Sequence, residues 1–148
     1  MKKFIFLLLI AVMALSFAGC APAAEPVDET QVPEEGQKVY NVVSLVNGNL
    51  GDKSFFDSAE SGLKTLADAG RITYKTIEMG GTDQDQPKWL ETLNEVSSSG
   101  EYDLIIVGTY QMPEYLKEAA TAFPDQKYLI NDDNTYVGEN DNVANITY

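Results

Sequence analysis

A chain of 148 residues, 44% of them hydrophobic and 22% charged, has the length and composition of one ordinary globular domain. Its formal net charge of -13 argues against nucleic-acid binding, which requires a basic face, and against electrostatic attraction to anionic lipid. Because the sequence has no histidine and a single cysteine, histidine-based acid–base chemistry, His/Cys metal sites and intrachain disulfides are excluded.

Residues 1–19 have the pattern of a bacterial lipoprotein signal peptide. Two lysines precede an apolar run over residues 4–15, which is shorter than the roughly 20 apolar residues of a membrane-spanning helix. Cys20 follows Ala18 and Gly19, where such a signal places the cysteine that is acylated, for example with palmitate, after cleavage. We therefore expect a protein anchored through Cys20 to the extracytoplasmic face of the cell membrane. An ordinary signal peptide with an incidental cysteine is the alternative.

Residues 21–38 separate this cysteine from the rest of the chain. They include three prolines and five acidic residues but no aromatic residue, so the segment cannot bury a core. We expect residues 20–38 to be a lipidated cysteine followed by a disordered acidic linker. This linker spaces a domain of residues 39–148 from the membrane.

Beyond the linker, segments with the apolar pattern of strands alternate with segments that have the periodicity of helices. Pro87 and Pro113 open two of the helices, and Gly70 ends the first one. Ser54 and Asp57 have the S-x-x-D spacing of a capping box, which predicts that helix one begins near Ser54. The predicted strands cover residues 39–46, 72–78, 104–107, 128–130 and 143–148, and the predicted helices begin at residues 54, 87 and 113.

This order of elements predicts an α/β fold with a doubly wound, mainly parallel sheet. Right-handed crossovers bring the carboxyl ends of strands one, three and four to one rim of such a sheet, where ligands bind. The rim collects residues 47–54, 108–112 and 131–133.

Two kinds of side chain on this rim are candidates for ligand binding. The ring of Phe55 could stack on a heteroaromatic base, although either Phe55 or Phe56 could instead pack beneath the sheet. Asp132 could accept hydrogen bonds from N–H or hydroxyl groups of a ligand, or it could cap its own loop. A third possibility is that Asp132 and Asp133 hold Mg²⁺ in a phosphoryl switch.

The remaining candidates for ligand binding lie in the same predicted rim segments. The helix start at Ser54 presents free backbone N–H groups, Gly108 permits close approach, and Tyr110 offers adaptable apolar surface. The single tryptophan, Trp89, is predicted to pack in the core. The sequence contains no recognisable pair of nucleophile and base, so we expect a binding protein without a cofactor and not an enzyme.

Four segments together resemble the basic membrane protein family of substrate-binding lipoproteins. The first, GNLGDKSFFDSA at residues 48–59, resembles the signature of that family, and the other three follow in the order found in its first lobe. They are YDLIIVG at residues 102–108, AATAFPDQKYLIND at residues 119–132 and NVANITY at residues 142–148.

The resemblance implies a lipoprotein receptor for purine nucleosides or related ligands that feeds an ABC importer. Its fold would be that of a type I periplasmic binding protein, in which two α/β lobes close on the ligand. In the family the phenylalanine of the DKSF motif stacks on the base, which implies this role for Phe55, and the aspartate after the F-P-D segment corresponds to Asp132. An acidic ligand contact of the family falls at Asn47, and Phe56 replaces a frequent asparagine.

The resemblance also implies that the chain is an amino-terminal fragment, because the family continues for about as long again with a second lobe. The expected function is therefore a lipid-anchored solute-binding component that delivers a nucleoside-like ligand to ABC permease subunits. A flavin or a sugar is not excluded as the ligand. Two other functions remain open: a surface lipoprotein that acts as an antigen or adhesin, and a small Mg²⁺-dependent switch or enzyme domain.

Overall fold

The computed structural model describes residue 36, residues 38–133 and residues 140–147. The predicted signal peptide, Cys20 and most of the acidic linker lie outside the described residues. In the part that is described, no helix has the length and apolar character needed to cross a membrane.

Five strands and three helices alternate along the chain. Each predicted element is present, with ends that differ by a few residues at most. The strands are β1 Tyr40–Val46, β2 Ile72–Glu78, β3 Leu104–Gly108, β4 Tyr128–Asn131 and β5 Val143–Ile146, and the helices are α1 Phe55–Asp68, α2 Gln86–Ser99 and α3 Pro113–Ala122.

The strands form one parallel sheet in the order β2-β1-β3-β4-β5. β1 lies inside the sheet and pairs with β2 along one edge and with β3 along the other. Because the chain winds from β1 first to one side and then to the other, the sheet is doubly wound, as the sequence predicts. This confirms the predicted α/β fold class.

One face of the sheet, which we call the closed face, is covered by α2 and α3. Its strand residues alternate with those of the opposite face, as the two-residue period of a strand requires. Trp89 is 1% exposed, and its ring packs edge-on against the ring of Tyr115 with 5.9 Å between the ring centroids. The prediction that Trp89 packs in the core is therefore confirmed. The closed face and its helices together bury Val43, Leu45, Trp89, Leu93, Val96, Ile105, Val107, Met112, Leu116, Ala119, Ala120, Tyr128 and Ile130.

The opposite face, which we call the open face, is covered by α1 alone among the helices described. The apolar side chains of α1 are only partly buried, because Leu63 is buried whereas Leu66 is 47% exposed. Between α1 and the strands lies a cavity of about 450 Å³. The sheet side of this cavity includes Ile106 and Leu129, and it reaches β5 at Ile146.

The start of α1 differs from the predicted capping box. The side chain of Ser54 makes no capping hydrogen bond. Instead, the carboxylate of Asp52 accepts hydrogen bonds from the backbone N–H groups of Ser54 at 2.9 Å and Phe56 at 3.1 Å. Asp57 turns backward and accepts from the backbone N–H groups of Gly51 and Lys53 at 2.7 and 2.8 Å. The predicted box is therefore wrong.

The difference between the two faces can be tested with two leucines. We expect Leu93→Ala to lower the free energy of unfolding by about 2–5 kcal/mol, because it opens a cavity in a fully buried core. Leu66→Ala should cost at most about 1 kcal/mol, because that side chain is half exposed. Urea denaturation followed by circular dichroism measures both values. Equal losses for the two variants would contradict the assignment of the core to the closed face.

Candidate functional site

The carboxyl ends of β1 and β3 form the point at which the sheet changes its winding direction. Leu45 pairs with Val107 in the parallel register, so Asn47 and Thr109 directly follow paired ends of the two strands. In open α/β sheets, ligands bind outside the carboxyl ends of the strands at such a point. The rim predicted from the sequence is therefore centred between β1 and β3.

Asn47 is the buried polar residue at this centre, with only 3% of its surface exposed. Its amide nitrogen Nδ2 donates one hydrogen bond to Thr109 Oγ1 at 3.1 Å and another to Gln111 Oε1 at 3.0 Å. The amide oxygen Oδ1 accepts no hydrogen bond from any residue that the structure describes. Asn47 thus joins the loops after β1 and β3 and retains an unused acceptor.

Two glycines let the ring of Phe56 approach this centre closely. A Cβ atom on Gly48 would collide with the Phe56 ring. A Cβ atom on Gly108 would lie 3.5 Å from Phe56 Cε1 and 3.4 Å from Asn47 Oδ1. Gly108 therefore lies against both the unused amide oxygen and the aromatic ring.

Phe55 and Phe56 form an aromatic pair at the start of α1. Their ring centroids are 5.4 Å apart and the ring planes are 80° apart, which is the edge-to-face geometry that aromatic rings prefer. Both residues line the open-face cavity, whose rim end also includes Gly108 and Asn131. At about 450 Å³ the cavity falls within the range of small-molecule sites.

The other predicted site residues lie on exposed loops of the same rim. Tyr110 is 71% exposed in the loop between β3 and α3. Ser54 is exposed directly before α1, and Asp132 is exposed directly after β4. Asp132 has a φ of +59°, and its backbone N–H donates to the carbonyl oxygen of Ile146 at 2.8 Å. This hydrogen bond ties the loop after β4 to the edge strand β5.

The structure brings together only part of the predicted set, and it adds side-chain contacts that the sequence reasoning did not predict. Asn47 and Gly108 are in close proximity, with the ring of Phe56 against them. Thr109 and Gln111 lie in the predicted rim segment 108–112, but their hydrogen bonds with Asn47 were not predicted. Their position directly after an apolar strand that ends in glycine indicates that they lie on the rim. That position does not reveal that both side chains bind Asn47.

The alternative of a Mg²⁺-dependent switch gains no support from the geometry. Within residues 38–133 and 140–147, no group of three or more His, Cys, Asp or Glu side chains could hold a metal ion.

Comparison with known proteins identifies the family to which this chain belongs. Residues 39–148 match the Bmp family, described as ABC transporter substrate-binding protein PnrA-like, and the chain belongs to that family. Members of this class bind solutes for transport. The resemblance found in the four sequence segments is thereby confirmed.

One curated relative and several solved structures are similar to the chain. An uncharacterized lipoprotein of Pyrococcus horikoshii is 28% identical over 124 residues, which are 84% of this chain and 29% of that protein. An ABC transporter solute-binding protein from Aeropyrum pernix K1 is 31% identical with a TM-score of 0.65, over 73% of this chain and 28% of that one.

Two further structures support the fold alone, because their sequence identities are low. A fragment of a lipoprotein from Peptoclostridium difficile 630 is 20% identical with a TM-score of 0.62, over 75% of this chain and 86% of that one. A solute-binding protein from Conexibacter woesei is 22% identical with a TM-score of 0.59, over 74% and 35% of the two chains. The chain therefore spans less than a third of the curated relative and of the Aeropyrum protein.

The cap at the start of α1, which shapes the rim, should make the stability of the chain depend on pH. Hydrogen bonds from backbone N–H groups, first that of Ser54, lower the pKa of Asp52 below its ordinary value of 3.8. Ionised Asp52 therefore stabilises the fold above the ordinary pKa, and this stabilisation is lost as the pH falls through the lower folded-state pKa. We expect the urea midpoint of Asp52→Asn to be lower than that of the unaltered chain at neutral pH. Between neutral pH and about pH 3, the midpoint of the variant should fall less than that of the unaltered chain.

The matched control for this experiment is Asp125→Asn, which changes an exposed aspartate in the turn before β4. It should leave the urea midpoint close to that of the unaltered chain at both pH values. The same pH dependence in the two variants would contradict a stabilising role for Asp52.

Proposed function

We propose that this chain forms the first lobe of a lipid-anchored receptor that binds a nucleoside-like molecule and delivers it to the permease subunits of an ABC importer. The observation that carries the proposal is the rim between β1 and β3, where a buried amide with an unused acceptor adjoins an aromatic pair. Family membership supplies the class, a substrate-binding protein of an ABC transporter.

A nucleoside suits this combination of groups because it has a flat apolar base and a polar sugar. Phe55 would stack on the base, and stacking of a base on an aromatic side chain is worth about 1–3 kcal/mol. The exposed carboxylate of Asp132 would accept hydrogen bonds from sugar hydroxyl groups. Tyr110 and the exposed Ser54 would provide the outer wall of the site. The backbone N–H groups at this helix start are not free as predicted, because they donate to the carboxylate of Asp52.

A second lobe would complete the site from the opposite side. Ligand pockets usually bury most of the surface of a small molecule, whereas this rim is lined by exposed loops. Relatives more than three times as long as the matched segment have room for such a lobe, since that segment covers 29% of one of them. Closure of the two lobes would hold the ligand without changing it chemically.

The predicted lipid anchor and acidic linker would determine where the receptor lies in the cell. Acylation of Cys20 would hold the receptor at the extracytoplasmic face of the membrane, and the acidic linker would let it reach the permease. The lipoprotein of Pyrococcus horikoshii is consistent with an anchored protein.

The stacking role of Phe55 can be tested by truncation. We expect Phe55→Ala to weaken the binding of inosine by at least tenfold, which is about 1.4 kcal/mol, because the base loses its stacking surface. Nuclear magnetic resonance titration of the full chain measures the dissociation constant even when it is millimolar. The matched control is Phe123→Ala, since Phe123 lies at the carboxyl end of α3, away from the rim.

Two outcomes would count against the proposal. Unchanged affinity in Phe55→Ala would remove Phe55 from the site while leaving a nucleoside receptor possible. Absence of binding by the unaltered chain to inosine, adenosine, guanosine, cytidine and riboflavin would contradict the nucleoside-like ligand itself.

A further inference from the structure

The open face of the sheet has room for a second helix. Five strands about 4.8 Å apart make a face roughly 19 Å wide, and two helices of about 10 Å diameter fit across such a width. The closed face carries two helices, whereas α1 is the only helix described on the open face. It is held toward β2, because Glu60 accepts hydrogen bonds from Tyr74 Oη at 2.9 Å and Thr76 Oγ1 at 2.6 Å. The open-face cavity therefore lies beside α1, over β3, β4 and β5.

Both sides of this cavity are apolar and incompletely covered. The sheet side contributes Ile106, Leu129 and Ile146, the last of which is 43% exposed. The helix side contributes Gly62 and the half-exposed Leu66. A Cβ atom on Gly62 would meet no atom within 4 Å. Because glycine in the middle of a helix is less stable than alanine, no contact within the described fold accounts for it, whereas a chain packed closely against α1 would.

The α1 helix of a second copy does not suit the cavity. The apolar side of that helix already faces its own sheet, and its outer side is polar. Ser61, Lys64 and Asp68 are all exposed there, and Lys64 Nζ forms an ion pair with Asp68 Oδ2 at 2.7 Å. Burying these groups against an apolar floor would cost free energy. The occupant should therefore be apolar on more than one side.

One segment of this chain has that character. Residues 4–15 are twelve consecutive apolar residues, the longest such run in the sequence, and they lie outside the described residues. As a helix they would be about 18 Å long, close to the roughly 21 Å of α1. The 22 residues from 16 to 37 would span about 26 Å as a flexible chain, which exceeds the width of the sheet. The run can therefore reach the cavity within one molecule.

The direction of the chain places opposite charges together. An ion pair of 2.6 Å between Lys38 Nζ and Asp103 Oδ1 fixes the start of the described domain at the amino ends of the strands, opposite the rim. A run that entered the cavity from this end would carry Lys2 and Lys3 to the rim. There the exposed Asp132 follows β4, directly after Asn131 at the rim end of the cavity. The two lysines would thus lie near a carboxylate.

We propose that residues 4–15 of the unprocessed chain lie in the open-face cavity of the same molecule, between α1 and strands β3 to β5. Docking removes the apolar run from water and covers the exposed part of the sheet. Cleavage before Cys20 would then remove the occupant and uncover the open face in one event. This contact goes beyond the proposed function, because it belongs to the chain before cleavage and involves no ligand.

The single cysteine allows a direct test. The full chain, made by cell-free synthesis so that residues 1–19 are retained, is isotope-labelled and carries a nitroxide on Cys20. Leu66 and Thr121 lie in the last turns of α1 and α3, on opposite faces of the sheet but at the same end of the strands. We expect the nitroxide to abolish the backbone amide signal of Leu66 and to spare that of Thr121. Reduction of the nitroxide should restore the lost signal.

Two variants of α1 supply the matched comparison. Gly62→Phe places a ring in the cavity without a collision at its Cβ, so the run should be displaced and the Leu66 signal should return. Ser61→Phe adds the same ring to the exposed side of α1 and should leave the Leu66 signal abolished. Leu8→Asp tests the other partner, because burial of a charge in an apolar cavity is costly, and it should also restore the signal.

Three results would overturn the proposal. Equal broadening of Leu66 and Thr121 would show that the linker moves freely over both faces. Loss of the Leu66 signal that persists in both Gly62→Phe and Leu8→Asp would place the nitroxide there for another reason. Loss of that signal in an isotope-labelled chain without nitroxide, mixed with spin-labelled chain, would make a second copy the occupant. None of these results depends on whether inosine binds, so they leave the proposed function untouched.

Discussion

The pairing of β1 with β2 on one side and β3 on the other is the constraint on which the rest of the structure depends. A strand in this position is covered on both faces, and every residue of β1 from Val42 to Val46 is accordingly buried. The loop after β1 leads through α1 to β2 on one side of β1, whereas the loop after β3 leads through α3 to β4 on the other side. These two loops therefore diverge at the carboxyl ends of β1 and β3. The gap between them is where Asn47 lies, with Thr109 across it.

The unequal cover of the two faces explains why the rim connects with a cavity. Two helices seal the closed face, whereas α1 covers the open face only in part, as the exposure of Leu66 and Ile146 shows. Phe55 and Phe56 stand where the partly covered face meets the rim, so they pack in the fold and also border the site. Packing in the fold and contact with a ligand are therefore not exclusive roles for these two aromatic residues.

Patterns local in sequence predicted most of the fold, and contacts distant in sequence account for what they missed. The strand and helix periods, Gly70 and the two helix-opening prolines depend on neighbouring residues, and the elements they predict are present. The capping box was wrong because Lys53 adopts a left-handed φ of 52°, and the carboxylate of Asp52 then caps the helix. The amide network could not be predicted, since Asn47 and Gln111 meet only through the register of β1 and β3.

The resemblance places an acidic ligand contact of the family at position 47, where this chain has asparagine. The hydrogen bonds of Asn47 show what this difference does in the fold. A carboxylate could not donate to Thr109 Oγ1 and Gln111 Oε1, so an acid at position 47 would require both partners to reorient. It would also add a buried negative charge to a rim that already carries Asp132 and Asp133. Asparagine supplies an acceptor without that charge, and its two donors join the loops after β1 and β3.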